Sequence, residues 1–524
     1  MWGHPLKTPE CIDLDLKQVD ALLKRAKASL PADDYEIIKA MAETIYLLSQ
    51  SVDQKATSIR RLLRMLFGAT TEKLDKVARK NKKTSKKKPK KKGHGRKPAA
   101  AYTGAKKVNV SHAVLKIGDD CPGCLKGKLY EIKVPKQIVR ITGNAPLAAT
   151  VYQLQRLRCN LCGEIFTADS PEAVGEEKYD AASGAMIALL KYGSGLPFNR
   201  IEQLQASLGV PLAASTQWEI VEQVADQAYP VYLEFNRQAA QGDVIHNDDT
   251  TMKILDLMKN NQKEPSERTG MFTTGILSII NDRKIALFYT GRKHAGENMA
   301  ELLAQRQNDR SPPIQMCDAL SRNTSESFQK ILANCLAHGR RKFVDVIVNF
   351  PDQCRYVLET LAEVYKNDKI AKTQNMTPDQ RLRLHQAQSG PLMQNLQTWL
   401  NDQLDQKKAE PNSGLGQAIS YMLNHWKPLT LFLEVPGAPL DNNICERALK
   451  KAILHRKNAL FYKTEHGAHV GDLFMSLIHT CNLADINPFD YLTALQKNAA
   501  ELSQHPERWM PWNYTPACSK TEPF

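Results

Sequence analysis

Between Arg79 and Lys97 the chain carries twelve Lys or Arg residues, no acid, and no apolar side chain apart from one Pro. Such a stretch has nothing to bury, so it cannot join a core and is expected to be disordered when free. It splits the 524-residue chain into an N-terminal piece and a much longer remainder. The net charge is +15, and the run supplies +12 of it, leaving +3 (15 − 12) for everything else. Lys86, Lys87, Lys88, Lys90, Lys91 and Lys92 are its densest part. They suit a tether that neutralises nucleic-acid phosphates, although a membrane surface or RNA would attract the same charge.

Ahead of the run, residues 13–30 read as helix. Ile38, Met41, Ile45, Leu48, Val52, Ile59, Leu62 and Leu66 then recur at spacings of three and four, with Lys55 at the one missing position. These are a and d positions of a coiled coil, so a homodimer or higher oligomer is expected. The helix is expected to stop at Gly68. No run of about 18 apolar residues occurs, so no membrane-spanning helix is expected. The first residues lack a basic-then-apolar leader, so secretion is not expected and a cytoplasmic setting is.

Behind the run, CPGC (Cys121, Cys124) and CNLC (Cys159, Cys162) form two knuckles with strand-like runs between them. Four thiolates brought to one point suit tetrahedral Zn2+ in a ribbon, and a closed four-Cys site is structural, because no position is left for substrate. Residues 180–228 then read as helices. Within them, Asn199–Ser207, a turn holding Gly209 and Pro211, and a second helix from about Ala214 resemble a helix-turn-helix. Ser215, Thr216 and Gln217 would be the early residues that reach DNA, though plain helical hairpins share this pattern.

From Gly242 the period changes. DVIHNDDTTMKIL, GMFTTGILSIIND and KIALFYTG read as three strands separated by polar turns. A helix near Ala295–Gln305 and a strand at Ile314–Leu320 follow, and LANCLAH is a candidate fifth strand. Strands mixed with helices point to an α/β domain with a mixed sheet. Residues 339–433 are mostly helical in pattern.

Asp248 and Asp249 lie in the first of these strands and, by alternation, face opposite sides. Asp318 ends the fourth strand. Glu446 lies in PLDNNICERALK, where Asn443 and Glu446 also fit a capping box at a helix start. Three carboxylates converging on one point would repel unless cations sat among them, and a pair of hard divalent ions would suit phosphoryl transfer. With 56 acids in the chain, such a triple also arises by chance.

The blocks HNDDT, CDA, CLAHGRRKF, PLDNNICERALKKAILHRKNALF and EHGAHVGDLFMSLIHTCNLADINPFDYL, in this order, resemble the insertion-sequence-66 family of bacterial transposases. The likeness covers roughly residues 35–500. It implies a DDE transposase with an RNase H-like catalytic core. Asp248, Asp318 and Glu446 would be the catalytic residues and would ligate Mg2+ or Mn2+ in a two-metal site. It also implies transposon-end and target DNA as substrates, small accessory proteins as candidate partners, and a nucleoid-associated place in the bacterial cytoplasm. Arg340, Arg341 and Lys342, with His338 beside them, and Arg447, Arg456 and Lys457 would then grip DNA phosphates. Asn247, Leu336 and Gly339 depart from the usual residues of the family.

The expected architecture is therefore a multidomain α+β protein. A helical coiled-coil region (1–75) precedes the basic linker (76–100), a zinc-ribbon domain (101–178) and a helical DNA-binding region (179–240). An RNase H-like catalytic domain (241–344 and 436–465) is split by a helical insertion (345–435), and a C-terminal helical region follows (466–524). Two other readings stay open: a DNA-binding regulator without chemistry, and an RNase H-like nuclease.

Overall fold

The computed structural model describes residues 16–42, 114–120, 122, 128–130, 145–158, 165–169, 171, 177–263 and 268–514. The cysteines Cys121, Cys124, Cys159 and Cys162, the lysines from Lys86 to Lys92 and the coiled-coil positions from Ile45 to Leu66 lie outside the described residues. The chain divides into two units, Asn81–Ala148 and the remainder. In the first, Gly118 N–H donates to Leu129 O (2.9 Å), and Asp120 and Lys128 pair in an antiparallel bridge. Its Gly118 has φ +93, a conformation open to glycine.

The remainder begins with helix α1 (Leu16–Ser29). Strands β1 (Arg156–Arg158) and β2 (Ile165–Thr167) form an antiparallel pair on either side of residues 159–164. Helices α2 (Ala181–Ala188), α3 (Phe198–Ser207) and the 26-residue α4 (Ala214–Ala239) come next. The α3–α4 turn has the expected form, with Gly209 at φ +76. Gln217, however, does not face outward. It is fully buried, and its amide donates to the carbonyls of Leu212 (3.0 Å) and Phe198 (3.3 Å), so it locks the turn. Ser215 is exposed and Thr216 half-buried.

The central sheet is built from β3 (Val244–Thr251), β4 (Phe272–Ile280), β5 (Arg283–Gly291), β6 (Ile314–Cys317) and β7 (Ile331–Asn334). Helix α5 (Leu255–Lys263) separates β3 from β4, where the sequence suggested only a turn. Ile254 and Leu257 are buried there, and Leu255 N–H is taken by Tyr462 O, so a distant segment holds the helix start. Helix α6 (Ala295–Leu303) joins β5 to β6. The strand order is β5-β4-β3-β6-β7, with β3, β4 and β5 antiparallel and β3, β6 and β7 parallel. Ile276, Leu277, Ile285, Leu287 and Phe288 are all buried. That fits a sheet covered on both faces, whose strands read as nearly continuous apolar runs.

After β7 come α7 (Leu336–Val346), α8 (Pro351–Thr373), α9 (Pro378–Leu384), α10 (Gly390–Asp405) and α11 (Gly414–Asn424). Their core is continuous with the sheet. Met316 and Ala333 of β6 and β7 belong to the same cluster as Phe343, Leu361, Leu396 and Ile419. The helical segment thus packs against β6 and β7. Gly339 on α7 has a steric reason: a Cβ there would meet Met422 Sδ at 2.5 Å.

Helices α12 (Asn443–Ala459), α13 (Glu465–Leu483) and α14 (Pro488–Lys497) complete the body. Helix α13 closes the opposite sheet edge with side chains. The N–H groups of Ala286, Phe288 and Thr290 on β5 donate to Thr480 Oγ1 (3.0 Å), Ser476 Oγ (3.0 Å) and Asp472 Oδ2 (2.6 Å). Four helical residues rise about 6 Å and two strand residues about 6.6 Å, so an i, i+4, i+8 row matches alternate strand amides. Burial pushes the Asp472 carboxyl up to about 7, although the two Thr290 donors oppose the shift.

This arrangement yields a stability prediction. A carboxyl raised in the fold favours folding only while protonated. The contribution is complete below its ordinary value of 3.8 and is lost as pH rises through about 7. Asp472→Asn keeps one acceptor for Thr290 N–H, and its NH2 can donate to Thr290 Oγ1. Urea unfolding should show the variant more stable than wild type at pH 8, by on the order of 1–3 kcal/mol. The advantage should vanish near pH 4.

Candidate active site

Asp248 sits in the middle of β3, paired with Gly275 of β4, on the face that α12 crosses. Asp249, one residue on, faces the other side, as the alternation requires. Asp318 follows β6 directly. In the parallel pairing of β6 with β3, His246 lies opposite Met316, and the same register carried two residues on sets Asp318 beside Asp248. Glu446 is in the first turn of α12. Burial pushes the Asp248 carboxyl up to about 7. The negative charge of Asp318 adds to this, and those of Asp249 and Glu446 contribute further, against one favourable bond from Asp249 N–H (2.8 Å). Asp318 and Glu446 therefore both lie within electrostatic reach of Asp248.

The position of Glu446 is fixed from the start of its helix. Asn443 does not cap α12, contrary to the capping-box reading. Asn442 holds the cap position, and its side chain makes no capping bond. It is fully buried instead. Its Nδ2 donates to Asn247 O (3.0 Å), its Oδ1 meets His246 Nδ1 (3.0 Å), and its backbone N–H donates to Cys335 Sγ (3.2 Å). The helix start is thereby pinned to the residue before Asp248 and to the end of β7. One turn on, Cys445 Sγ donates to Gly275 O (3.3 Å). A Cβ on Gly275 would lie 3.0 Å from the Leu449 side chain, so glycine lets the helix lie close to β4 beside Asp248. Near its far end, Arg456 donates to Thr250 Oγ1 (3.1 Å) and to Thr251 Oγ1 (2.6 Å).

The Asp318 loop is fixed from behind. Asn323 Nδ2 donates to Asp318 Oδ1, while Asn323 O accepts from Asn247 Nδ2 (2.7 Å) and Gln315 Nε2 (2.8 Å). Asn247 thus secures the loop that carries the second acid. Gly296 at the start of α6 packs on the same loop, where a Cβ would meet Thr324 O at 2.5 Å. Asp249, almost wholly buried, holds Arg322 of this loop (3.2 Å) and His294 (3.0 Å). From the helical segment, Tyr421 hydrogen-bonds the backbone of Ala319. Burial, with the charge of Asp318 next, pushes its hydroxyl up to about 12.

Among the residues expected to hold DNA, Lys342 and Arg447 and Lys457 are exposed, and Arg340 and Arg341 are half-buried. Lys342 Nζ lies over the Tyr421 ring, and Arg341 comes within 4.0 Å of Glu446 Oε2. Arg456 is committed to the β3 hydroxyls, which leaves it a tie between helix and strand. Nothing in the sequence points to Asn323, Arg322 and Tyr421. Asp441 and Asn442 read there as the loop that sets where the helix begins, but the partners of Asn442, 107 to 196 residues away, are not legible.

Among the described residues, the buried polar atoms at this site without a hydrogen-bond partner include Glu446 Oε1 and His338 Nδ1. A carboxylate oxygen removed from water without a hydrogen-bond partner, in the field of a carboxyl pushed up by burial and then by its acidic neighbours, is an arrangement that divalent cations would stabilise. Oxygen donors of this kind suit hard ions such as Mg2+ or Mn2+.

The family described as Transposase IS66 family matches residues 178–470. The uncharacterised protein y4jD of Sinorhizobium fredii is 28% identical over 350 residues, covering 64% of this chain and 66% of its own length. A second, y4hP of the same organism, is 26% identical over 360 residues, covering 64% of this chain and 62% of its own. The chain thus spans slightly less than two thirds of the length of these relatives. No solved structure matches it.

Proposed function

This chain belongs to the IS66 transposase family, and on that premise we propose that it is a DNA transposase that cuts at element ends and joins the freed 3′-hydroxyl to target DNA. The observation that carries the reading is the electrostatic frustration at one sheet end. Asp248 is pushed to about 7 by burial, then by Asp318, with Glu446 among the further causes, and Glu446 Oε1 is buried without a partner. The strand order, with three antiparallel strands followed by two parallel ones, supports an RNase H-like core.

Asp248, Asp318 and Glu446 would hold a pair of Mg2+ or Mn2+ ions. Bound there, the ions supply charge neutralisation and activation of the attacking oxygen. The chain's own residues do the positioning. Asn442 and Asn323 hold two of the carboxylates in place. Arg447 beside Glu446, Lys342 beside Arg341 and Lys457 toward the far end of α12 are exposed and suit the phosphates of element-end and target DNA. Ser215 and Thr216 begin α4 where a DNA-facing helix would start. In strand transfer a new bond forms between the element's 3′-oxygen and a target phosphorus, and the target's own 3′-oxygen leaves and takes up a proton. The four cysteines would hold a structural Zn2+, and the basic run would tether the protein to DNA. Among the described residues no helix is long and apolar enough to cross a membrane.

Strand transfer tests the reading. Purified protein with element-end DNA and Mg2+ or Mn2+ should cleave and join, and Glu446→Gln should not, while still binding the DNA. End binding without chemistry by the wild type would favour the regulator. Cleavage of RNA strands alone would favour a nuclease. Equal activity in the variant would remove Glu446 from the site.

A further inference from the structure

Beside Glu446 lies a group the three-carboxylate site does not use. His338 is in the first turn of α7, and the start of that helix is tied to the start of α12, with Leu336 N–H donating to Leu440 O (2.9 Å). Two helix starts from segments far apart in sequence therefore face each other. One ligand atom each from Cys335, His338 and Glu446 lie within 4.8 Å of one another. His338 Nδ1 is 3.7 Å from Glu446 Oε1, too long for a hydrogen bond. Both atoms are buried, and neither has any hydrogen-bond partner.

Two ligand atoms that share one ion, each about 2.1 Å from it, stand roughly 3 to 4 Å apart for bond angles from a right angle upward. The 3.7 Å gap fits that geometry. Cys335 is less suited to join them, because its sulfur already accepts the Asn442 N–H (3.2 Å) that pins α12. Arg341 lies on the other carboxylate oxygen, Oε2 (4.0 Å), and leaves the His338 side of Glu446 to be filled.

We propose that His338, through Nδ1, is a ligand of the cation that Glu446 holds. This rests on the reading of Glu446 as a metal ligand. One of the two cation positions then has an imidazole nitrogen beside its carboxylate oxygen. An imidazole shifts a site away from Mg2+ and toward first-row transition ions. It also changes the role of the CLAH segment, because His338 belongs with the metals and not with the phosphate-gripping residues that follow it.

Mn2+ is the probe. The full-length protein, stripped of added divalent ions, is titrated with Mn2+ and followed by electron paramagnetic resonance, with pulsed measurements of nitrogen coupling to the bound ion. Wild type should show coupling to one imidazole nitrogen, and His338→Ala and His338→Gln should lose it. Mn2+ affinity should fall at least about tenfold in both, with a smaller change for Mg2+. Unchanged circular dichroism and melting of His338→Gln without metal would separate ligand loss from misfolding. If Mn2+ binds, is released by Glu446→Gln, and shows no nitrogen coupling, the His338 assignment is overturned while the Glu446 reading stands. Coupling that survives in both His338 variants also overturns it. Mn2+ binding indifferent to both Glu446→Gln and Asp248→Asn would overturn the two together.

Discussion

Asp248→Asn is expected to abolish DNA cleavage and joining while making the metal-free protein more stable at pH 8. The two effects come from the same charges. A metal ligand at the reacting phosphate is worth several kcal/mol in the transition state, so strand transfer should fall on the order of 10³-fold or more. In the absence of cations the same carboxylate opposes folding. Burial, and the charge of Asp318 after it, raise Asp248 from 3.8 to about 7. Its favourable contribution is complete below its ordinary value and declines as pH rises toward 7. Each pH unit in that window amounts to about 1.4 kcal/mol, and a site partly open to water returns on the order of half the total, so roughly 2 kcal/mol is expected at pH 8. Asparagine keeps the acceptor for Asp249 N–H. Urea unfolding at pH 8 without metal and a gel assay of strand transfer would read both halves. Mg2+ should then stabilise the wild type more than the variant. A variant that lost activity and stability together would point to a structural role for Asp248.

The strands that carry this site were legible because the sheet is buried on both faces. Apolar runs such as GILSII and IALF have one dominant solution in a chain with turns at their ends. The place of Asp248 in its strand, and of Asp318 at the end of another, followed from those runs. The turn between α3 and α4 was legible for a local reason, since Gly209 needs a positive φ there. What sequence could not show is where each side chain finds its partner. Gln217 and Ser215 are two residues apart in one helix turn, yet Gln217 is buried under Leu212 and Phe198, and Ser215 is exposed. The row Asp472, Ser476 and Thr480 looks like ordinary polar spacing in an apolar helix. It becomes an edge seal only once β5 lies alongside. Tyr421 belongs to a helical segment with no acid of the site in it, and reaches Ala319 only because that segment shares its core with β6 and β7. Helix α5 was missed because its amphipathic stretch is short and is held by Tyr462, some 200 residues later.

Asn442→Ala should do what Asp248→Asn does not, and lower stability and activity together. Asn442 bridges His246 and the carbonyl of Asn247 inside the protein, with no access to water. Burial keeps His246 neutral and lowers it to about 4, and its Nδ1–H, facing the Asn442 amide oxygen, needs an acceptor. Alanine would leave both groups buried and unpaired, at about 1–3 kcal/mol each, a loss of roughly 2–5 kcal/mol in unfolding experiments. The geometric effect is separate. Without the side chain, the start of α12 keeps its ties to Cys335 Sγ and Leu336 but loses its hydrogen bonds to His246 and Asn247 of β3. Glu446 is one helical turn beyond that point, and an error of about 1 Å in a catalytic group can cost on the order of 10²-fold in rate. Asn442→Asp separates the two effects. A carboxylate can still accept from His246, but it sets an oxygen against Asn247 O, where the wild type has a donor at 3.0 Å. Protonation restores a donor, so this variant should recover stability as pH falls, whereas Asn442→Ala should not. If Asn442→Ala melted like wild type and joined DNA at the wild-type rate, the helix would be positioned by Cys445 and Leu449 against Gly275 alone, and PLDNN would be only a loop.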